Sequence, residues 1–122
     1  MADGSFHYFL NQKKHVAVVS FLGNCDVPAL AQLNACQEAI HGLVCEHIVL
    51  NFAGVPEISV ELDPVLVRLQ GNIRDSGKSL VICGLAPKLR KRLESSGIIR
   101  SFEVTASLVE ALQKIVSVAV KK

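Results

Sequence analysis

The chain has 122 residues, half of them apolar, and 13 basic against 11 acidic side chains leave a net charge of +2. That is enough apolar material for residues 1–122 to form one domain with its own core, without staples. The charge is too small to drive binding to nucleic acid or an anionic membrane. No apolar run approaches the roughly 20 residues of a membrane-spanning helix, and one Tyr with no Trp makes a poor stacking platform for single strands. The start, MADGSFHYF, lacks a charged segment followed by a long apolar one, so the expectation is an unexported, cytoplasmic protein. Cys25, Cys36, Cys45 and Cys83 lie scattered in apolar segments without paired spacing, which suits reduced thiols acting as small hydrophobes.

In chain order, Met1 to Ser5 reads as a loose end. Phe6 to Leu10 alternates weakly, Asn11 to Lys14 is polar, and HVAVVSFL from His15 to Leu22 is nearly all apolar. This predicts a hairpin whose first arm is an edge strand and whose second is buried on both faces. Gly23-Asn24 turns the chain. Asp26 can cap a helix with Pro28 in its first turn and a stripe of Leu30, Leu33, Cys36, Gln37 and Ile40, ending near His41-Gly42. His47 to Phe52 has the pattern of a central strand. Gly54 and Pro56 end it, and Ser59 offers a hydroxyl to cap a helix from about Val60 with Leu62, Val65, Leu66 and Leu69 on one face.

Ser76-Gly77 stops that helix, and Lys78 to Cys83 is a further short strand. A loop through Gly84 and Pro87 then opens a helix at Lys88, with Leu89 and Leu93 inward and Arg90, Lys91 and Arg92 largely outward. Ile98 to Val104, anchored by Phe102, reads as a last strand or extended link. A final helix starts at Thr105 to Ser107 and carries Leu108, Leu112, Ile115 and Val116, with Val118 to Val120 as a continuation and Lys121-Lys122 as a loose end. Strands separated by helices imply parallel crossovers, hence an α/β fold with a mixed sheet covered by helices.

Several segments together resemble the STAS domain family of anti-sigma factor antagonists and sulfate-transporter relatives. The family's acidic residue, hydrophobic, small residue, Gly and Val stand here as Asn51-Phe52-Ala53-Gly54-Val55. Its hydrophobic, Asp and Ser before the second helix stand as Ile58-Ser59-Val60-Glu61. Gly77-Lys78, Gly84 with Pro87, the basic helix ending at Gly97, and Phe102 follow in the family's order. The resemblance implies a STAS-like mixed sheet of four to five strands with about four helices. It also implies a protein that works by switching partners, without catalysis, metal or cofactor. Its partner would be a kinase-like anti-sigma factor, released when a Ser at the head of the second helix is phosphorylated, or another component of such a system. A phosphate there adds a charge of about −1.5 to −2, which repels an acidic surface or blocks close packing.

This chain departs from that pattern. Ser59 stands at the family's Asp, and the phosphorylatable positions hold Val60 and Glu61, neither of which a serine kinase can modify. Glu61 then reads as a fixed, weaker substitute for phosphoserine, Ser59 as a displaced phosphosite, or the chain as a divergent member serving a scaffold or transport complex. Plain helix preference also accounts for Ser59 as a cap and Glu61 as a first-turn acid. The expected partner surface comprises Pro56, Glu57, Ser59, Val60, Glu61 and Asp63, flanked by Asn24 and Asp26, because both loops follow neighbouring central strands. A nucleotide or small anion on the helix N–H groups is the rival, opposed by the charges of Glu61 and Asp63.

Other chemistry is poorly supplied. His41, Cys45 and His47 lack the further ligand a structural zinc needs, and Gly77-Lys78-Ser79 precedes a strand where a phosphate loop needs a helix. Cys25 beside Asp26 has no placed base and reads as a buried thiol. Lys88 with Arg90 to Arg92 reads as a solvated helix face or as a docking patch for an acidic partner.

Overall fold

The computed structural model describes residues 6–120, with side chains described to Val116, so Met1 to Ser5, Lys121-Lys122 and the Val118 to Val120 side chains lie outside the description. Strand β1 (His7–Lys13) turns through Lys14 into β2 (Val16–Leu22), and the two pair antiparallel from His7–Leu22 to Lys13–Val16. Helix α1 (Leu30–His41) leads to β3 (His47–Gly54), and α2 (Asp63–Asp75) to β4 (Ser79–Cys83). Helix α3 (Pro87–Ser95) precedes a two-residue β5 (Val104–Thr105) and the last helix, α4 (Leu108–Val120). The five strands lie in the order β1-β2-β3-β4-β5, parallel after the first pair.

Residue alternation along the strands divides the core in two. Ala17, Val19, Phe21, Ile48, Leu50 and Phe52 point to one face, where α1, α2 and α3 bury Leu33, Ile40, Leu66, Leu69 and Leu93 against them. Val49, Val81 and Cys83 point to the other, covered by Ala111 and Ile115 of α4. Strand β3 is therefore buried on both sides, as its apolar run predicts. The same expectation fails for β2. Its Val16, Val18 and Ser20 face the α4 side, where the single helix reaches the β3–β4 half of the sheet and leaves them half-buried.

The edge strand runs to Lys13, three residues beyond the apolar arm, because Asn11 and Gln12 still pair with Val18 and Ala17. Phe102 is not an anchor: it is 70 % exposed, and Val104 takes the buried position beside Ile82. Leu112 and Val116 are also exposed on α4, where Ala111, small enough for close approach, makes the inward contact. The residue leading into β5 is tied to α2 by Arg74, whose guanidinium donates to Glu103 Oε2 at 3.0 Å and to Gln70 Oε1 at 3.1 Å.

The link from β4 to α3 depends on Gly84. Its φ is +78°, and a Cβ there would stand 2.6 Å from the Ala53 amide nitrogen and 2.8 Å from Asn51 Oδ1. Both obstacles belong to β3, so neither can yield cheaply. Gly84→Ala is expected to lose about 2–4 kcal/mol through left-handed strain and backbone displacement, read as a lower urea midpoint at unchanged m-value. A midpoint equal to wild type would mean that the β3–β4 ends are not closely packed.

Candidate functional site

The pairing of β2 with β3 carries on past both strands. Gly23 N–H donates to Gly54 O at 3.0 Å, Cys25 N–H to Glu57 O at 3.2 Å, and Ser59 N–H to Cys25 O at 2.8 Å, so Cys25 and Ile58 form a parallel bridge. The two loops named from the sequence thus meet at one end of the sheet. Two residues beyond the bridge, each segment enters a short 3-10 turn, Val27–Ala29 in one and Val60–Leu62 in the other. Buried Cys25, Val55, Ile58 and Leu62 hold this backbone down, above Phe6, Phe21 and Phe52, whose rings stack at 5.5 and 4.9 Å.

What remains outward is a small rim. Pro56, Glu57 and Glu61 are exposed, Asn24 is exposed and Asp26 half-buried. Val60 is 66 % exposed and Val27 55 %, and the bridge register sets them at equivalent places on the two loops. Val27, which no sequence pattern singles out, and Leu22, expected to be buried with the rest of its apolar run, are exposed apolar surface here. Ser59 is half-buried. Its hydroxyl makes no capping hydrogen bond; the turn is closed instead by Leu62 N–H on Ser59 O at 3.0 Å. Asp26 likewise caps through its backbone, accepting from Ala29 N–H at 2.7 Å, and α1 and α2 begin only after the 3-10 turns.

Asp63 is differently placed. Arg92, expected to face outward, donates Nη1 to Asp63 Oδ2 at 2.9 Å, and Nη2 to Asp63 Oδ1 at 3.3 Å and to Ile58 O at 2.8 Å. One guanidinium therefore fixes both ends of the 58–63 segment and neutralises the carboxylate at the head of α2. No short-range sequence pattern could reveal this, because the partners lie 29 and 34 residues apart. Arg90 pairs with Glu94 at 3.2 Å, so of the basic cluster Lys88 and Lys91 are the exposed cations.

The strand end beneath is held by Asn51, standing where an acid was expected. Its Oδ1 accepts from Ala53 N–H at 3.1 Å and its Nδ2 donates to Ser20 Oγ at 3.4 Å. Gly54 is required here, since a Cβ would lie 2.9 Å from Phe21 O. Burial, with a smaller contribution from Asp26, pushes the Cys25 thiol up to about 12, so it is protonated and no nucleophile at neutral pH. Burial also raises Cys36 to about 12 and Cys83 to about 11. His41 is exposed in the last turn of α1, while His47 lies in β3 with Nδ1 2.5 Å from Ser79 Oγ. Among the described residues no group of His, Cys, Asp or Glu is arranged to hold a metal, and no helix is long and apolar enough to cross a membrane.

This architecture is that of a STAS domain. The chain superposes on an anti-sigma factor antagonist from Mycobacterium paratuberculosis with a TM-score of 0.75 at 17 % identity, covering 93 % of this chain and 96 % of that one. A serine-to-glutamate variant of RsbS from Moorella thermoacetica gives 0.79 at 16 % identity, covering 92 % and 97 %. The STAS domain of a SulP transporter from Vibrio cholerae gives 0.76 at 14 %, covering 92 % and 89 %. No family model and no curated relative matches the sequence.

Two outcomes follow. Arg92→Ala is expected to lower stability by about 1.5 kcal/mol, the low end for a charged hydrogen-bonded group because the guanidinium is part-exposed. Amide exchange should accelerate at Ser59 and Leu62 with the sheet still protected; equal loss across the sheet would contradict a local clamp. The thiols set a pH limit: folding favours their protonated form, so the unfolded state ionises first, near the ordinary 9.0, and stability is constant below that and falls as pH rises toward 11 to 12. Urea midpoints at pH 7, 9 and 10 should show the fall, and half-exposed Cys45 should react first with Ellman's reagent.

Proposed function

We propose that the protein is a non-catalytic cytosolic regulator that binds a protein partner reversibly through the 55–63 segment, with Asn24 and Asp26 at its flank. The observation that supports it best is the bridged double loop, which presents Val27, Pro56, Val60 and Glu61 outward on a backbone fixed by the Arg92 clamp. A rigid apolar centre with an acidic rim loses little entropy on association and suits a protein surface. Its partner is a kinase-like anti-sigma factor or another component of a STAS-based system controlling transcription. Glu61, in place of the serine, holds the surface in one charge state and acts as a permanent phosphoserine mimic of about half the charge.

The second reading is a subunit of a scaffold or transporter assembly, favoured by the likeness to the SulP transporter domain. A nucleotide or small anion fits less well. Arg92 already neutralises Asp63, but Glu57 and Glu61 leave the rim acidic.

Paired affinity captures with wild type and Glu61→Ala, followed by calorimetry on the recovered partner, separate these readings. The expected result is a protein with a histidine-kinase-like ATPase fold whose affinity changes about tenfold, or roughly 1.4 kcal/mol, between the two baits. Equal affinity would remove Glu61 from the mechanism. Recovery of a transporter subunit indifferent to Glu61 would favour the second reading.

A further inference from the structure

Two hollows flank Ile115 on the α4 side of the sheet. The larger, an open groove of about 920 Å³, runs between α4 and the β1–β2 hairpin, with Phe9, Val16 and Val18 on its sheet side and Leu112 and Val116 on its helix side. Its lip mixes Lys13, Lys14 and His15 with Glu46, so charge selects no occupant there. The smaller, of about 220 Å³, lies where β3 and β4 begin, between α4 and the 101–103 turn. Alternation along the strands sends His47, Ser79 and Val81 to this face, where Val81 packs with Ile115. Lys114 of α4 and Phe102 stand across from them. The Lys114 ammonium donates to Phe102 O, which holds it at the wall with two N–H groups left over. Lys78 lines the hollow from the position before β4. Both lysines are half-buried, and among the described residues neither is in an ion pair.

The carboxylates around this hollow are engaged elsewhere. Glu103, the one that lines it among the described residues, accepts from Arg74 on both oxygens, at 3.0 and 2.5 Å. Glu46, beside His47 in sequence, turns Oε2 to His15 Nδ1 at 3.5 Å, and Glu110, one turn before Lys114, accepts from Ala106 N–H at 3.0 Å. His47 Nδ1 and Ser79 Oγ, 2.5 Å apart, share one proton. If the hydroxyl donates, the ring keeps its Nε2–H; if the ring donates, the hydroxyl keeps its O–H. Either way one donor remains at the wall. Half-burial strips water from the two ammonium groups without supplying a counter-ion, so an anion arriving between them recovers that cost. The volume is below the roughly 300 Å³ at which sites for drug-sized molecules begin, which limits the occupant to a small one. We infer that this hollow binds a small organic anion, a monocarboxylate on a compact apolar body. Lys78 and Lys114 take the carboxylate, and Phe102, Val81 and Ile115 pack against the body. The site lies at the N-terminal ends of β3 and β4, the opposite end of the sheet from the 55–63 segment, so both can be occupied together.

Amide NMR titration of the full chain with benzoate tests this, with benzyl alcohol as the neutral counterpart and inorganic phosphate as an anion without an apolar body. Benzoate is expected to shift the amides of Ser79, Leu80, Phe102 and Glu103 saturably, with a dissociation constant of about 1 mM or below. Benzyl alcohol and phosphate should each bind at least about tenfold more weakly, since each lacks one half of the recognition. Lys78→Gln and Lys114→Gln should each weaken benzoate about fivefold, a part-exposed charge contributing less than a buried one. Lys78→Gln, which removes no hydrogen bond seen among the described residues, should do so at an unchanged melting temperature. Lys91→Gln on α3 should leave benzoate affinity as it is. No saturable shift at about 20 times the expected constant would overturn the inference. Benzyl alcohol binding as tightly as benzoate would do the same by reducing the site to an apolar hollow, and phosphate binding as tightly by reducing it to a cation cluster. Benzoate affinity indifferent to both lysine variants would overturn it as well.

Discussion

The candidate site depends on β2 and β3 continuing to pair after they have ceased to be strands. Three backbone hydrogen bonds cross from the 23–25 turn to the 54–59 loop, and they convert two loops into one rigid shelf. Loops following adjacent parallel strands would otherwise splay apart as the sheet twists. Gly54 makes the close approach possible, Asn51 and Gly84 hold the strand end beneath it, and Arg92 ties the outer side of the shelf to α3. Disturbing any one of these moves the same few exposed side chains, which is why the surface residues need no bonds of their own.

Much of the fold is legible in the sequence because it rests on local regularities. The apolar run of β3, the helical spacing of Leu62, Leu66 and Leu69, and the stops at Gly42 and Gly77 express burial and backbone preference within a few residues. The errors arise where the covering element decides. The residues of β2 are as apolar as those of β3, yet β3 is central and β2 has one face that α4 covers only in part. Phe102 has a core residue's chemistry but sits outside the β5 pairing, which Val104 fills.

The meeting of the two loops could be inferred, because neighbouring parallel strands deliver their following loops to the same end of a sheet. The Arg92 clamp could not. Arg92 belongs to a run of cations that local periodicity assigns to solvent, and its acceptors are a carboxylate and a carbonyl from a segment about thirty residues earlier. Long-range ion pairs leave no periodic trace. The clamp also alters the electrostatics of the shelf: with Asp63 neutralised, Glu57 and Glu61 carry its negative character.

The shelf and the α4 groove occupy different parts of the molecule. The shelf lies at the C-terminal ends of β2 and β3, while the groove runs over the opposite sheet face toward the β1–β2 turn at their N-terminal ends. A molecule covering the groove therefore leaves the shelf accessible.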